Sequence, residues 1–344
     1  MATLDPYGLG RVLNEPGVLP QRAQALDPSL PIRPSELLVD VESLNVDAAS
    51  FRQLEQAAGG DPARIAEAIR AIVRSRGKLQ NPATGSGGML IGRVREVGPQ
   101  HPAAGRLRAG ERIATLVSLS LTPLHLDEVK AVHPGIDRVD VRGHAILFAS
   151  GLYARLPPDM PEMLALAALD VCGAPALMAR YARSGMRVAV LGAGKSGALC
   201  LAQARRSMAG KGQLLALDVS APALDRLLGI GLCDAALRVD ATRAVEVLEA
   251  VAAATGGALA DLVVNCASVP STEMATILST RDGGTALFFS MATSFTAAAL
   301  GAEGVGKDVT LVMGNGYVPG HAELTLELLR SEPRLRELFA ARYV

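Results

Sequence analysis

The chain has 344 residues, a length that accommodates two domains, because a single hydrophobic core stops growing near ~250–300 residues. Its 34 Lys and Arg side chains balance 34 Asp and Glu side chains, and this absence of net charge disfavours nucleic acid and anionic membrane surfaces as partners. Trp is absent and aromatic residues make up only 3%, so stacking platforms for single-stranded nucleic acid are not expected. We therefore expect a small-molecule partner, without nucleic acid or membrane.

The apolar stretches are short, and none approaches the ~18 residues that a membrane span requires. Residues 1–10 lack the basic start and apolar run of a secretory signal peptide, which favours a cytoplasmic protein. The cysteines are widely separated and form no C-x-x-C pair, so we expect neither a disulfide framework nor a structural zinc site. They are Cys172, Cys200, Cys233 and Cys266.

The first 150 residues are rich in Pro and Gly, and strand candidates at 36–41 and 112–117 are joined by long loops. This pattern predicts an irregular, largely antiparallel barrel. One helix interrupts it, with Asp61 as its cap, Pro62 as its first residue and Gly77 as its stop signal. Its arginines predict a solvated face, with binding of a carboxylate as the alternative. They are Arg64, Arg70, Arg74 and Arg76.

From about residue 188 onward, short apolar runs alternate with helical stretches, which predicts a parallel sheet covered on both faces. The strand candidates are 187–191, 213–218, 262–266, 285–290 and 308–313. The helix candidates between them are 196–209, 223–228, 243–254 and 272–279. Two final helices, 322–330 and 333–342, are expected to return to the first domain. The predicted class is α/β, with a Rossmann doubly wound domain at 155–316 and a substrate-binding domain made of 1–154 and 317–344.

The segment VAVLGAGKSG, residues 188–197, runs from a strand through G-x-G-x-x-G into a helix. Gly192 permits the tight turn, Gly194 lets the backbone approach a pyrophosphate, and Gly197 allows close packing of helix on strand. The next strand ends at Asp218, about 20 residues on, where a carboxylate accepts the ribose hydroxyls of a dinucleotide. An ordinary strand-to-helix turn with Asp218 as a helix cap is the alternative. A P-loop is excluded because its first glycine falls at Ala189.

The cofactor predicted from this motif is NAD, because Asp218 repels a 2′-phosphate and no Arg follows at the next two positions. The remaining residues of the loop and of the strand end are expected to contact the dinucleotide, namely Ala193, Lys195, Ser196 and Val219. Ligands of open α/β sheets bind beyond the carboxyl ends of the strands. The nicotinamide end is therefore expected beside Cys266, Ala267, Ser268, Ser290 and Asn315.

The two halves together resemble the medium-chain dehydrogenase/reductase superfamily. Besides the glycine motif, the resemblance rests on GRVREVG at 92–98, GERI at 110–113 and GLCDAA at 231–236. It implies a GroES-like, mainly antiparallel barrel as the substrate domain. Zinc-dependent members carry a Cys and a His-Glu pair where this chain has Asn45 to Asp47 and residues 85–88, which offer no thiolate or imidazole. We therefore predict that a catalytic zinc, and any other bound metal, is absent.

Within the superfamily the chain is similar to the family of 3,5-diaminohexanoate dehydrogenases. The similarity rests on SLNVDAASFR at 43–52, NPATGSGGMLIG at 81–92 and GNGY at 314–317. It implies NAD-dependent oxidative deamination at C3 of L-erythro-3,5-diaminohexanoate to 5-amino-3-oxohexanoate and ammonia, a reaction of lysine fermentation.

This reaction needs a base, because an ammonium with a pKa near ~10 must lose a proton before hydride leaves C3. Asp47 is the acidic residue in the segment that replaces the zinc-binding loop, and we assign it to catalysis as the base or as the holder of an ammonium. Its alternative role is a helix cap, and Glu42 and Lys78 are the next candidates for the base. Ser50 and Ser86 complete the predicted catalytic set.

Three further residues are predicted to bind substrate: Asn45, Thr84 and Tyr317. A tight loop at 84–86 and a packing role for Tyr317 are the alternatives. The whole architecture also suits a zinc-free NAD(P)H-dependent enone or quinone reductase, or a dinucleotide-binding protein without turnover. The strand at 308–313 is a candidate for pairing in a homodimer.

Overall fold

The structure is a computed structural model and describes residues 5–343. The chain divides into two compact units that meet in sequence at Pro157 and Pro158. The predicted α/β class is confirmed, since one unit is built on an antiparallel sheet and the other on a parallel sheet.

The first unit contains a six-stranded sheet in the order β4-β5-β1-β2-β3-β6, in which every pair of neighbours is antiparallel. Its order is open, with β4 and β6 as the edge strands. The strands are β1 Leu37–Asn45, β2 Met89–Val97, β3 Arg112–Thr115, β4 Leu124–His133, β5 Arg138–Leu147 and β6 Tyr153–Arg155.

Two helices, α1 (Ala48–Ala58) and α2 (Pro62–Arg76), lie between β1 and β2 in the chain. The prediction for α2 is confirmed: Asp61 caps it, accepting a hydrogen bond from the N–H of Ala63 at 2.8 Å, and Gly77 ends it in the left-handed conformation. Its buried residues recur every four positions, at Ile65, Ile69 and Val73, so they form one stripe. This stripe belongs to the same core as the inward side chains of β1.

The second unit contains a six-stranded parallel sheet in the order β12-β11-β10-β7-β8-β9, the doubly wound order of dinucleotide-binding folds. The strands are β7 Arg187–Leu191, β8 Gln213–Asp218, β9 Ala235–Arg238, β10 Ala260–Asn265, β11 Thr280–Phe288 and β12 Val309–Met313. The helices are α3 Glu162–Leu169, α4 Gly173–Tyr181, α5 Lys195–Met208, α6 Ala221–Gly229, α7 Ala244–Ala254, α8 Glu273–Ser279, α9 Phe295–Gly304, α10 His321–Ser331 and α11 Pro333–Tyr343.

The two C-terminal helices pack within the second unit. α10 contacts α3, α4 and α5, and α11 contacts α3 and α5. The buried hydroxyl of Thr325 in α10 donates to the carbonyl of Cys172 at 3.2 Å. The stretch 317–344 was expected with the substrate-binding domain, and α10 and α11 within it make these contacts to helices that follow Pro158. Over residues 5–343, no single helix is long and apolar enough to cross a membrane. Among these residues, only α3 and α4 taken together have that length and composition, and they are bent by 51° relative to each other.

Candidate functional site

The glycine-rich loop between β7 and α5 has two positions that admit no side chain. Gly192 has φ 98°, and a Cβ there would lie 2.9 Å from the carbonyl carbon of Cys266. A Cβ on Gly197 would lie 1.8 Å from the carbonyl oxygen of Gly192. The first turn of α5 therefore sits directly on the loop, as predicted from the spacing of the glycines.

The third glycine faces open space. Gly194 is exposed, and a Cβ there would meet no atom of the described residues within 4 Å. Gly194 is also the N-cap of α5, and no side chain among residues 5–343 caps the helix there. An uncapped helix N-terminus beside a gap in front of the backbone fits a pyrophosphate, which binds to such N–H groups. Lys195 adds a cation at the loop, with its Nζ 2.6 Å from Asp170, and Ser196 follows it in the first turn.

Asp218 ends β8 beside this loop. Its Oδ2 accepts a hydrogen bond from the N–H of Ala193 at 2.7 Å, and its Oδ1 accepts one from Ser220 at 2.8 Å. The side chain is half-buried, and a carboxylate has about four lone-pair sites, so it retains capacity for ribose hydroxyls. Val219 beyond it is 59% exposed.

An arginine that we did not predict lies next to Asp218. Arg238 pairs with Asp218 in the ladder between β8 and β9, and its Nε donates to the carbonyl of Val219 at 3.2 Å. The arginine is exposed. The sequence missed it because β9 is short and only partly buried, and the position of Arg238 depends on strand pairing.

The predicted nicotinamide-end residues follow β10, β11 and β12, whose carboxyl ends lie at the same edge of the sheet as the glycine-rich loop. The backbone of Cys266 and Ala267 adjoins Gly192, whereas Ser268 is exposed. After β11, Ser290 Oγ accepts the N–H of Ala292 at 3.2 Å. After β12, Asn315 Oδ1 accepts the N–H of Tyr317, also at 3.2 Å. Their contacts with a cofactor stay a prediction.

In the first unit, three predicted site residues form a cluster of hydroxyl groups, hereafter the hydroxyl cluster. The Oγ of Ser50 lies 2.5 Å from the Oγ1 of Thr84 and 2.8 Å from the Oγ of Ser86. Ser50 is buried in the first turn of α1, and Asn81 holds this turn to the loop by donating to the carbonyl of Ser50 at 3.2 Å. Two hydrogen bonds among three hydroxyls use two of the three protons, so one proton remains to donate to a ligand.

Asp47 lies at the start of α1 beside this cluster. Its Oδ1 caps the helix, accepting hydrogen bonds from Ala49 at 3.0 Å and Ser50 at 3.4 Å, so the alternative role as a cap is observed. Among residues 5–343, Oδ2 accepts no hydrogen bond and forms no ion pair, and the side chain is exposed. Asn45 ends β1, and its buried Nδ2 has no hydrogen-bond partner within the described part of the chain. An open carboxylate oxygen and a free amide donor are thus separated by one residue in sequence.

Asp137, in the turn between β4 and β5, is a further acidic residue that we did not predict. Its carbonyl accepts the N–H of Val46 at 2.9 Å, which joins this turn to the segment before α1. Burial raises the pKa of the Asp137 carboxyl, as do the negative charges of Glu55 and Asp47, while Arg52 lowers it. Three carboxyl groups, with Arg52 as a cation among them, therefore interact electrostatically around Asp137. Only the folded pairing of β4 with β5 brings Asp137 here, so local sequence gives no signal for it.

The other candidates for the base are engaged elsewhere. Glu42 forms ion pairs with Arg93 at 2.8 Å and with Arg112 at 2.7 Å. Lys78 is completely buried, its Nζ donates to the carbonyl of Pro20 at 2.8 Å, and burial lowers its pKa to about 8.

Tyr317, predicted to bind substrate, is 41% exposed, and its ring packs edge-on against His321 at a centroid distance of 5.3 Å.

Across the described residues, His, Cys, Asp and Glu side chains form no group of three or more that is placed to hold a metal ion. The zinc-free character of the site stays a prediction.

The fold is shared with solved dehydrogenases and related proteins. An alcohol dehydrogenase from Thermotoga maritima superposes with a TM-score of 0.55 at 18% identity, covering 89% of this chain and 84% of that one. A mycobacterial protein in complex with NADPH gives a TM-score of 0.54 at 18% identity, covering 92% and 84% respectively. Because both sequence identities are only 18%, these superpositions establish the medium-chain dehydrogenase fold alone.

Sequence comparisons are more specific. A family model described as the L-erythro-3,5-diaminohexanoate dehydrogenase N-terminal domain matches residues 10–157. Two curated relatives named L-erythro-3,5-diaminohexanoate dehydrogenase, from Acetoanaerobium sticklandii and Fusobacterium nucleatum subsp. nucleatum, are 50% and 49% identical over 339 residues. Each alignment covers 98% of this chain and 98% of the relative. The chain therefore belongs to the L-erythro-3,5-diaminohexanoate dehydrogenase family.

Proposed function

We propose that this protein catalyses NAD-dependent oxidative deamination of L-erythro-3,5-diaminohexanoate, giving 5-amino-3-oxohexanoate, ammonia and NADH, as a step of lysine fermentation. The observation that carries the proposal is the identity of about half of all residues over 98% of both chains with two relatives of that name. The relatives are dehydrogenases, so this chain is an oxidoreductase that acts on a small molecule with a nicotinamide dinucleotide.

The reaction divides into proton, hydride and water steps. The ammonium at C3 first loses a proton, which frees the nitrogen lone pair to form a C=N bond as hydride leaves C3. The nicotinamide ring, when bound, accepts that hydride. Water then adds to the iminium carbon of the substrate, and ammonia leaves as the C3 carbonyl forms.

Asp47 is our candidate for the residue that handles the amine. Its Oδ1 is used in capping α1, and its Oδ2 is open among the described residues, so one carboxylate can both order the helix and accept an ammonium hydrogen. The nearby carboxylates of Glu55 and Asp137 add negative charge, which suits a substrate with two ammonium groups. Asp47 acts as the base or holds the ammonium beside C3.

The neighbouring polar groups are assigned to positioning. We propose that the hydroxyl cluster of Ser50, Thr84 and Ser86 donates its remaining proton to the substrate and holds the loop in place. In the same proposal, Asn45 at the end of β1 and Tyr317, which is 41% exposed, are further substrate contacts. Fixing both ends of the substrate orients C3 for hydride loss.

We assign NAD as the specific dinucleotide. Asp218 retains lone pairs for the two ribose hydroxyls and would repel a 2′-phosphate. This assignment includes the predicted contacts with the adenosine half, made by Ala193, Lys195, Ser196 and Val219. It also includes the contacts of the strand-end residues with the nicotinamide half.

Catalysis without zinc is part of the same proposal. Stoichiometric zinc in elemental analysis, with activity lost on chelation, would contradict it.

The role of Asp47 is tested by Asp47→Asn, because Asn caps helices as well as Asp but carries no charge. We expect turnover of diaminohexanoate, or the affinity for it, to fall by roughly 10²- to 10⁴-fold, with NAD affinity and melting temperature unchanged. The matched control is Asp61→Asn, which makes the same change at the cap of α2, where Asp61 accepts the N–H of Ala63. Near-normal turnover in Asp47→Asn, equal to that of the control, would exclude Asp47 from the chemistry.

We also propose a cytoplasmic homodimer in which β12 contributes to the interface. β12 is an edge strand, and the neighbouring α9 exposes Phe295 by 68% and Leu300 by 62%, a surface that a second copy would cover. Sedimentation velocity over a range of micromolar concentrations measures the assembly. A monomer throughout that range contradicts the homodimer.

A further inference from the structure

A cavity of about 250 Å³ lies within the first unit, away from the hydroxyl cluster. Its walls come from the N-terminal segment, from the last turns of α2 and from the start of β4. The volume is near the lower end of small-ligand sites, which run from about 300 to about 1,000 Å³. A molecule of only a few carbon atoms therefore fits.

The charge of the lining is entirely of one sign. Arg70, Arg74 and Arg76 line the cavity together with His125, and no Asp or Glu is among the lining residues. Within the described residues, the side chains of Arg70 and Arg74 make no hydrogen bond or ion pair, and the side chain of Arg76 makes only a long contact of 3.4 Å with Gln80. Arg70 and Arg74 are four residues apart on α2, so they lie one above the other on the same face. Their guanidinium donors are uncommitted.

Apart from Ser75, the rest of the lining is apolar. Leu13, Leu26 and Leu126 contribute side chains, and Leu13 is 42% exposed although it is a large aliphatic residue. A cavity with unpaired guanidinium groups beside aliphatic side chains suits a ligand that has an anionic head and a short apolar body.

The walls are joined by hydrogen bonds. The N–H of Leu26 donates to the carbonyl of Arg76 at 2.8 Å, and the N–H of Leu124 donates to the carbonyl of Gly77 at 2.8 Å. Gly77 itself packs so closely that a Cβ there would lie 1.9 Å from the carbonyl oxygen of Leu26. These contacts fix the N-terminal segment, α2 and β4 relative to one another, so the cavity is preformed.

We propose that this cavity binds a small organic oxyanion, with its carboxylate or phosphate on Arg70 and Arg74 and its apolar body against Leu13 and Leu126. The site shares no residue with the hydroxyl cluster or with the glycine-rich loop. It is therefore a second ligand site, independent of the proposed deamination.

The test is titration calorimetry on the full chain with butanoate, inorganic phosphate and butylammonium as probes. We expect saturable binding of at least one anion and none of butylammonium, and the tighter anion identifies the head group. Arg70→Gln/Arg74→Gln should weaken that binding by ~10-fold or more, because charge-assisted hydrogen bonds are lost. The matched control is Arg64→Gln, an exposed arginine of the same helix that does not line the cavity and should leave binding unchanged.

A second variant, Leu13→Glu, guards against a folding defect in the double variant. Leu13 is 42% exposed, so we expect the fold to tolerate the substitution, which places a negative charge at the cavity and should also weaken anion binding by ~10-fold or more. Absence of saturable anion binding by the unmodified protein would overturn the proposal. Binding that persists undiminished in Leu13→Glu or in the folded double variant would overturn it as well.

Discussion

Substitution by Ala is predicted to affect two glycines of the same loop differently: it lowers the melting temperature at Gly197 and the affinity for NAD at Gly194. In Gly197→Ala the new methyl would lie 1.8 Å from the carbonyl oxygen of Gly192, whereas a carbon and a carbonyl oxygen normally approach to about 3.3 Å. The neighbour is backbone, so the loop and α5 must separate by roughly 1.5 Å. Overpacking of this kind costs about 1–3 kcal/mol, and we expect the upper value because no side chain can rotate away.

For a unit of the size of 158–344, each kcal/mol lowers the melting temperature by about 2–4 °C, so Gly197→Ala should lower it by about 6–12 °C. Gly194→Ala should leave the melting temperature unchanged, because φ is −79° and, in the described part of the chain, no atom lies within 4 Å of the new methyl. The same methyl, however, occupies the space assigned to the pyrophosphate. NAD should bind ~10-fold or more weakly to Gly194→Ala.

Scanning calorimetry without ligand and titration with NAD separate the two effects. A wild-type melting temperature for Gly197→Ala would refute the close packing of α5 on the loop. Wild-type NAD affinity for Gly194→Ala would refute the position assigned to the pyrophosphate.

Asp218→Ser removes the charge that repels a 2′-phosphate and leaves Arg238 beside Val219, so calorimetry should show NADP affinity rising ~10-fold or more. Asp218→Ser/Arg238→Gln should lose this gain, and equal NADP affinities in the two variants would exclude Arg238. The pKa of Lys78 is about 8 in the folded protein, against an ordinary value of 10.5. Between these two pH values the unfolded chain binds more protons than the folded protein, so the free energy of unfolding rises with pH. Urea unfolding should show the wild type gaining about 3 kcal/mol relative to Lys78→Met between about pH 8 and about pH 10.5, and a constant difference would contradict the lowered pKa.

The features predicted correctly from sequence are those with local signals. Asp61, Pro62 and Gly77 delimit α2, because caps and left-handed stops act within a few residues. The glycine spacing predicted the turn after β7, because Gly192 and Gly197 meet across one helical turn. The convergence of Ser50 with Thr84 and Ser86 required the additional information in the family resemblance, since 34 residues separate Ser50 from Thr84.

Features that depend on distant pairing gave no comparable signal. Arg11 is buried and pairs with Glu36 at 2.7 Å, an interaction across 25 residues that neither composition nor periodicity indicates. Asp137 and Arg238 reach their positions only through strand pairing. The contacts of the last two helices depend on the apolar surfaces of α3 and α4, two helices that begin without a side-chain cap from within residues 5–343.

The proposed deamination is tested most directly by incubating the purified protein with NAD and L-erythro-3,5-diaminohexanoate while measuring NADH absorbance and released ammonia. We expect NADH and ammonia to appear in equal amounts and both to require the diamino acid. Binding of NAD without turnover, or oxidation of NADH or NADPH by enones or quinones with no reaction of diaminohexanoate, would contradict it.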